Sequence, residues 1–320
     1  MFGPVTVTLL KEKAKRTITR YNMLSPGDTV LIGVSGGPDS MALLYLLNDI
    51  NKEYTVKIKV AHLNHGFRKE AAEEAEFVKK AAASLGLPAI IKSIDVPSIK
   101  ERENLSAQEA ARKARYAFFE EAASDAGANK VALAHTADDQ AETVLMRLIR
   151  GSGPLGLSGI PPVRDMSGDC PYLRAACRRI GTVPGTEVTG QEAIIIRPLI
   201  DCSRKDVEEY ISENDISYVI DNSNLKMDYM RNRVRMELIP FLEGYNPNIK
   251  ETLIRVAEIS HRDNQFLEAR AWEAFASCQG SGIGGQGNNE GIAIAFKVLK
   301  DLHPALLSRI LRKAIMTVKG

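Results

Sequence analysis

The chemistry of this chain concentrates in Ser35-Gly36-Gly37-Pro38-Asp39-Ser40. An apolar stretch, 29–34, leads into the segment, and an apolar helical pattern, 40–51, leads out of it. Glycines at 36 and 37 permit a tight turn whose N–H groups can approach an anion. The helix behind the turn presents its positive end and its unpaired donors. Ser35 and Ser40 add hydroxyl groups. Asp39 places a carboxylate where phosphate would lie, an arrangement that calls for a divalent cation between the two. The segment therefore reads as a site for a nucleotide phosphate with Mg2+. It is not a Walker loop, because no G-x-x-x-x-G-K-S/T occurs in the chain.

A second cluster lies in Ala134-His135-Thr136-Ala137-Asp138-Asp139-Gln140-Ala141-Glu142, where a strand pattern passes into a helical one. Asp139 and Glu142 are three apart and Asp138 and Glu142 four apart, so the acids share a helix face. Helix capping explains one such aspartate. Three carboxylates beside a phosphate site require a compensating cation, either a metal or an amine. His62, in Ala61-His62-Leu63-Asn64-His65-Gly66-Phe67-Arg68, follows another strand pattern, whose end is placed to read an adenine edge. Arg112 and Arg115 share a helix face, and Arg197 ends an apolar run at 194–196. Arg231, Arg233 and Arg235 fall within five residues. Guanidinium forks suit phosphate, so this basic element points to a polyanionic co-substrate, with RNA the natural candidate.

The elements that must hold these groups alternate. Strand patterns at 29–34, 57–63, 89–96, 130–134 and 193–198 are separated by helical ones at 40–51, 70–85, 106–126, 138–150 and 203–214. Such alternation predicts an α/β fold, a parallel sheet with helices on both faces. Ligands of these sheets bind beyond the carboxyl ends of the strands, where the Ser35 loop, the His62 segment and the His135–Glu142 segment would gather. The glycine-rich stretch 151–159 and the polar stretch up to about residue 190, which carries Arg164, Arg174, Arg178 and Arg179, read as loop. Beyond residue 224 the reading is helical, at 228–245, 248–276 and 304–318, around a Gly/Asn-rich loop at 279–291 and a short apolar run at 292–296. This divides the chain into a catalytic domain, 1–224, and a smaller helical domain, 225–320.

Bulk properties bound the rest. At 320 residues, 44% hydrophobic and 26% charged, the composition is that of an ordinary globular protein. A net charge of +2 creates no global field for nucleic acid, so any basic face is local. No apolar run is long enough to span a bilayer, which predicts no membrane partner. The charges of the first 16 residues follow the apolar part, the reverse of a secretory signal. Four cysteines without framework spacing fit a reducing cytoplasm.

The Ser35–Ser40 loop resembles the signature of the PP-loop ATP pyrophosphatases. Taken with HLNHGFR (62–68), EAARKARY (109–116), AHTADDQAETVLMRLIRGSG (134–153), IIRPLI (195–200), DNSN (221–224) and RNRVR (231–235), the whole pattern resembles the tRNA(Ile)-lysidine synthetases over most of residues 25–315. That resemblance implies a PP-loop ATPase domain that adenylates C2 of the wobble cytidine in CAU-anticodon tRNA(Ile). Pyrophosphate leaves, and the ε-amine of free L-lysine then displaces AMP to give lysidine. It further implies that Ser35, Gly36, Gly37, Pro38 and Ser40, with His62 and Arg115, hold ATP, and that Asp39 holds Mg2+. Asp139 and Glu142 would bind lysine, Arg197 would serve the reaction, and Arg231, Arg233 and Arg235 would steady tRNA phosphates. A homodimer is compatible with this reading. Longer relatives continue past RILRKAIMTVKG into a further small domain, and the 160–192 segment is longer than the family pattern. The rival reading is a PP-loop tRNA thiolation enzyme. It would call for C-x-x-C pairs, whereas Cys170 and Cys177 are seven apart and no C-x-x-C occurs.

Overall fold

Residues 9–64, 71–166, 193–219, 230–279, 299–300 and 302–319 are described by the computed structural model of the chain. Its centre is a six-stranded sheet of β1 (Thr29–Gly33), β2 (Lys57–Asn64), β3 (Ala89–Ser93), β4 (Lys130–Ala132), β5 (Val163–Asp165) and β6 (Ile194–Ile196), in the order β3-β2-β1-β4-β6-β5. All pairs are parallel except β5 against β6. The chain leaves β1 for β2 on one side and later returns to β4 on the other. A topological switch point therefore lies between β1 and β4, where ligands of open α/β sheets bind. Ile32 pairs with Ala132, and Ala132 with Ile196, so the residues following β1, β4 and β6 come out side by side.

Both faces of the sheet are covered. On one, α2 (Pro38–Tyr54) packs with α1 (Leu9–Arg20), α3 (Ala71–Ser84) and α8 (Arg204–Glu213) around Leu43, Leu44, Leu47, Ile50, Val60, Val207 and Ile211. On the other, α5 (Ala107–Ala126) sets Phe118 and Phe119 against Leu31, Val131, Leu133 and Ile195. The approach of α5 is close at Gly33. A Cβ there would lie 2.6 Å from Phe119 Cζ and 2.9 Å from Leu133 Cδ2. Gly33→Ala is expected to cost about 1–3 kcal/mol through overpacking, read as a lower urea midpoint with an unchanged slope.

Local sequence explains three departures from the pattern reading. The third strand ends at Ser93 rather than continuing to residue 96, because the Asp95 side chain accepts from Ser98 N–H at 3.2 Å and caps α4 (Val96–Glu103), with a proline in its first turn. The glycine-rich stretch contains a one-turn helix, α7 (Pro154–Leu157), and Arg147 Nη1 donates to the carbonyls of Gly156 (2.8 Å) and Gly159 (2.7 Å). Strand β5 is only three residues long and antiparallel, too short for periodicity to reveal it.

Beyond the sheet, α9 (Met230–Arg233) passes through a π-helical turn (Val234–Leu238) into α10 (Ile239–Glu243), followed by α11 (Ile249–Gln279) and α12 (Pro304–Lys319). Val234, Ile239, Leu253 and Ala257 pack on Ala141, Val144 and Leu145 of α6 (Ala137–Ile149). This apolar contact carries the 230–243 segment across the carboxyl edge of the sheet. Residues 220–229, which contain the expected boundary at 224, and the apolar run 292–296 lie outside the described residues. No helix among those described is long and apolar enough to cross a membrane.

Candidate active site

The turn after β1 is built as its sequence requires. Gly36 sits at φ +90°, the left-handed side of conformational space that favours glycine. Its carbonyl accepts from Val219 N–H at 2.9 Å. The Ser40 hydroxyl closes the turn, donating to Gly37 O at 2.9 Å and accepting from Ser35 N–H at 3.1 Å. Ser35 Oγ lies 3.1 Å from Ser40 Oγ. Gly37 occupies the N-cap of α2, and no side chain caps that end. Pro38 has no N–H, so the first-turn donors of a 17-residue helix are those of Asp39 and Ser40, directed at the switch point.

His62 stands behind this turn. It is buried, and its Nδ1 lies 2.8 Å from the carbonyl of Val34, which makes Nδ1 the protonated nitrogen. Nε2 is buried without a partner, and burial holds the imidazole below its ordinary pKa. His62 thus braces the strand end just before Ser35. His65–Arg68 lie outside the described residues.

Four carboxylates face the switch point, and their partners differ. Asp138 Oδ2 accepts from the N–H of Arg204, the first residue of α8, at 2.7 Å, and Oδ1 lies 3.3 Å from Lys250 Nζ. Asp139 forms a capping box with Thr136, its Oδ2 accepting from Thr136 N–H at 2.9 Å. Its Oδ1 accepts from Arg231 Nη2 at 2.8 Å. Glu142, with 2% of its side chain exposed, accepts from Arg231 Nε (2.7 Å), Arg235 Nε (2.5 Å) and Arg235 Nη2 (3.2 Å). Asp39 is the odd one, for its Oδ1 is buried without a partner. Burial, then Asp139 and Asp138, push its carboxyl up to about 6, against the opposing pull of Arg204 and Arg235. Asp39 therefore shares one electrostatic environment with Asp138 and Asp139 of the first turn of α6, and Arg235, which pairs with Glu142, acts on it too.

Beside them lies a positive cluster. Arg197 follows β6 and is 2% exposed. Its Nη1 donates to Pro161 O at 2.6 Å, its Nε donates to His135 Nδ1 at 3.1 Å, and it hydrogen-bonds Tyr116. Burial, with Arg164 and Arg112, lowers its pKa to about 10, and Tyr116 opposes the shift. Arg112 and Arg164 lie over the Tyr116 ring, 5.1 and 4.7 Å from its centroid. Arg115, on the same helix, is walled by protein yet keeps an exposed side chain, and that exposed surface decides what it can reach. His135 is held well below its ordinary pKa by burial and by these arginines, so it is neutral. No acid among the described residues pairs with Arg197, which leaves the cluster suited to an anion.

Sequence reasoning therefore named groups that the fold brings together: Ser35, Gly36, Gly37, Pro38, Asp39, Ser40, Asp139, Glu142 and Arg197, with His62 behind the turn. It gave no individual role to Tyr116 or to His135, although His135 is the first polar group after β4. It placed Arg164 in a loop, and only the unexpected strand β5 carries it to the site. Arg231 and Arg235, expected to face RNA, turn inward onto the acids. Arg233 faces outward, 61% exposed and 3.5 Å from Glu237.

A mostly parallel sheet with this unusual glycine turn at its switch point defines a class. The chain belongs to the PP-loop family, whose domain model matches residues 10–242. Among curated proteins it is similar to the tRNA(Ile)-lysidine synthase of Clostridioides difficile strain 630, 36% identical over 98% of this chain and 61% of that one. The tRNA(Ile)-lysidine synthase of Geobacter sulfurreducens is 37% identical over 99% of this chain and 60% of its own. The chain thus spans about three fifths of the length of these relatives. In fold it is similar to the U34-tRNA thiolase NcsA of Methanococcus maripaludis, with a TM-score of 0.59 at 18% identity over 79% of this chain and 78% of that one.

Proposed function

We propose that this chain ligates lysine to C2 of the wobble cytidine in CAU-anticodon tRNA(Ile), through an adenylated cytidine. The base O2 attacks the α-phosphorus of ATP, the bond to the bridging oxygen breaks, and pyrophosphate leaves. The lysine ε-amine then attacks C2, the C2–O bond breaks, AMP leaves with the oxygen, and the amine gives up a proton. Similarity to named tRNA(Ile)-lysidine synthases supports this reading. The observation that carries it is Asp139 standing in the field of Asp39 beside the glycine turn, with Glu142 joined to Asp139 through Arg231.

The roles follow from partners. Backbone N–H groups and hydroxyls of Ser35, Gly36, Gly37 and Ser40 cradle phosphate, with Pro38 fixing the first helical residue. Asp39 fits Mg2+, because a buried carboxylate oxygen without a partner is what one carboxylate plus phosphate oxygens would offer that ion. When bound, Mg2+ neutralises the charge of the departing pyrophosphate. Exposed Arg115 meets ATP or the adenylate, and His62 supports the turn from behind. Arg197, steadied by His135 and Tyr116, faces the anionic centre. Asp139 and Glu142 bind the lysine amine and favour its approach. Outward-facing Arg233 contacts tRNA phosphates, a role that Arg231 and Arg235 can share only by leaving Asp139 and Glu142.

Incubation of the chain with Mg·ATP, labelled lysine and tRNA(Ile) tests the proposal. Label is expected in that RNA and to depend on ATP, and its absence under all conditions refutes the assignment. Two further results are expected. Because free Asp39 titrates near 6, Mg·ATP binding should release about half a proton at pH 6 and approach a full proton below it, where affinity weakens by about tenfold per pH unit. Calorimetry in buffers of different ionisation heat measures this release. Arg233→Ala should reduce the slope of log Kd for tRNA against log salt by about 0.7–1, and an unchanged slope would remove Arg233 from the RNA surface.

A further inference from the structure

The acidic pair assigned to the lysine amine already has cationic partners. Glu142 uses both oxygens on Arg231 and Arg235, and Asp139 spends one oxygen on Arg231 and the other on the Thr136 N–H. Arg235 Nη2 also lies 3.7 Å from Asp139 Oδ1. An ammonium group entering here competes with two guanidinium groups that already pair with these carboxylates.

The displaceable partners are the arginines. Glu142 is held in the core, with 2% of its side chain exposed, whereas the Arg231 and Arg235 side chains keep 38% and 26% of theirs. They lie on the outer side of the pair, and both come from the segment that passes through the π-helical turn Val234–Leu238. A π turn within a helix marks a place where the hydrogen-bond register is locally altered, and such turns recur at functional sites. The outer side of the same segment carries Arg233, Met236 and Phe241, all more than half exposed. It thus offers a polyanion a cation together with apolar surface.

Resting on the lysine-ligation reading, we infer that Arg231 and Arg235 plug the amine site and are exchanged onto RNA backbone phosphates when tRNA docks, so that lysine binds the RNA-loaded protein in preference to the free one. A guanidinium fork accepts phosphate as readily as carboxylate, so the exchange keeps each arginine paired while it frees Asp139 and Glu142. RNA and lysine then bind with positive coupling, each strengthening the other by the same factor. Mg·ATP is the competing anion, since Arg235 also lies in the field of Asp39.

Equilibrium dialysis of labelled lysine against the full chain decides the matter, in four states: free, with a non-hydrolysable Mg·ATP analogue, with tRNA(Ile), and with both. Lysine is expected to bind about tenfold or more tightly once tRNA is present, and the ATP analogue alone should give no such gain. Arg235→Gln should bind lysine without tRNA at close to the RNA-loaded affinity, while Arg235→Lys, which restores an internal cation, should keep the dependence. Equal lysine affinity with and without tRNA overturns the plug, as does an equal gain from the ATP analogue alone. The wild-type comparison decides even if a variant fails to fold. Failure of the underlying reading looks different. There, lysine binds in no state, or binds the RNA-loaded protein equally well after Glu142→Gln.

Discussion

Asp39→Ala is expected to abolish pyrophosphate release, by about a thousandfold or more, while leaving the protein at least as stable as the parent. The two halves of this result have one cause. Asp39 is half-buried, and its Oδ1 is enclosed and bonds to nothing, beside Asp139 and Asp138. Its folded pKa of about 6 stands above the ordinary 3.8, so the folded state binds the extra proton. Above pH 6 the ionised group opposes folding. As pH falls from 6 to 4 the opposition fades, because the folded form is then protonated. Removing the carboxylate should therefore raise Tm at pH 7–8 by about 2 °C and leave it unchanged below pH 4. Calorimetry across that range, with a pyrophosphate assay containing tRNA and lysine, checks both halves. Normal pyrophosphate release by the variant would remove Asp39 from the reaction. Lower stability at pH 8 would show that its carboxylate has a structural partner.

Much of this site is local, which is why it can be read from the chain. The turn at Ser35–Ser40 needs only a strand, two glycines and a helix start, all contiguous. The Thr136–Asp139 capping box and the Asp139–Glu142 face depend on helical spacing alone. What periodicity cannot supply is the partner across the fold. Arg231 and Arg235 reach Glu142 from 89 and 93 positions away, and they do so because Val234 and Ile239 pack on α6. Sequence pattern identified their charge correctly but gave no way to see which polar group they face. Arg164 illustrates the same limit. Its route to Tyr116 runs through a three-residue antiparallel strand paired with β6, which no window of hydrophobicity can detect. The overlong third strand erred for the opposite reason, because a local cap at Asp95 outweighed apolar Ile94 and Val96.

Glu142→Gln is expected to separate the two proposed half-reactions. The substitution keeps size and one acceptor oxygen and removes the charge that Arg231 and Arg235 answer. Charge-assisted hydrogen bonds contribute about 1.5–3 kcal/mol each, so the loss of one toward an ammonium should lower kcat/KM for lysine by about tenfold to a hundredfold. ATP-dependent adenylation should change far less, since Glu142 does not number among the groups that perturb Asp39, whereas Asp139 does. Stability should fall by about 1–3 kcal/mol, less than for a fully buried pair, because both arginines keep solvent-exposed surface and Arg231 retains Asp139. Asp139→Asn is the harsher counterpart, as it touches the capping box, the pairing with Arg231 and the field at Asp39 together. Single-turnover measurement of adenylate formation and of its consumption by lysine distinguishes these outcomes. Matching losses in both steps for Glu142→Gln would mean that the acid supports the pocket as a whole, and the amine would then have to be held elsewhere.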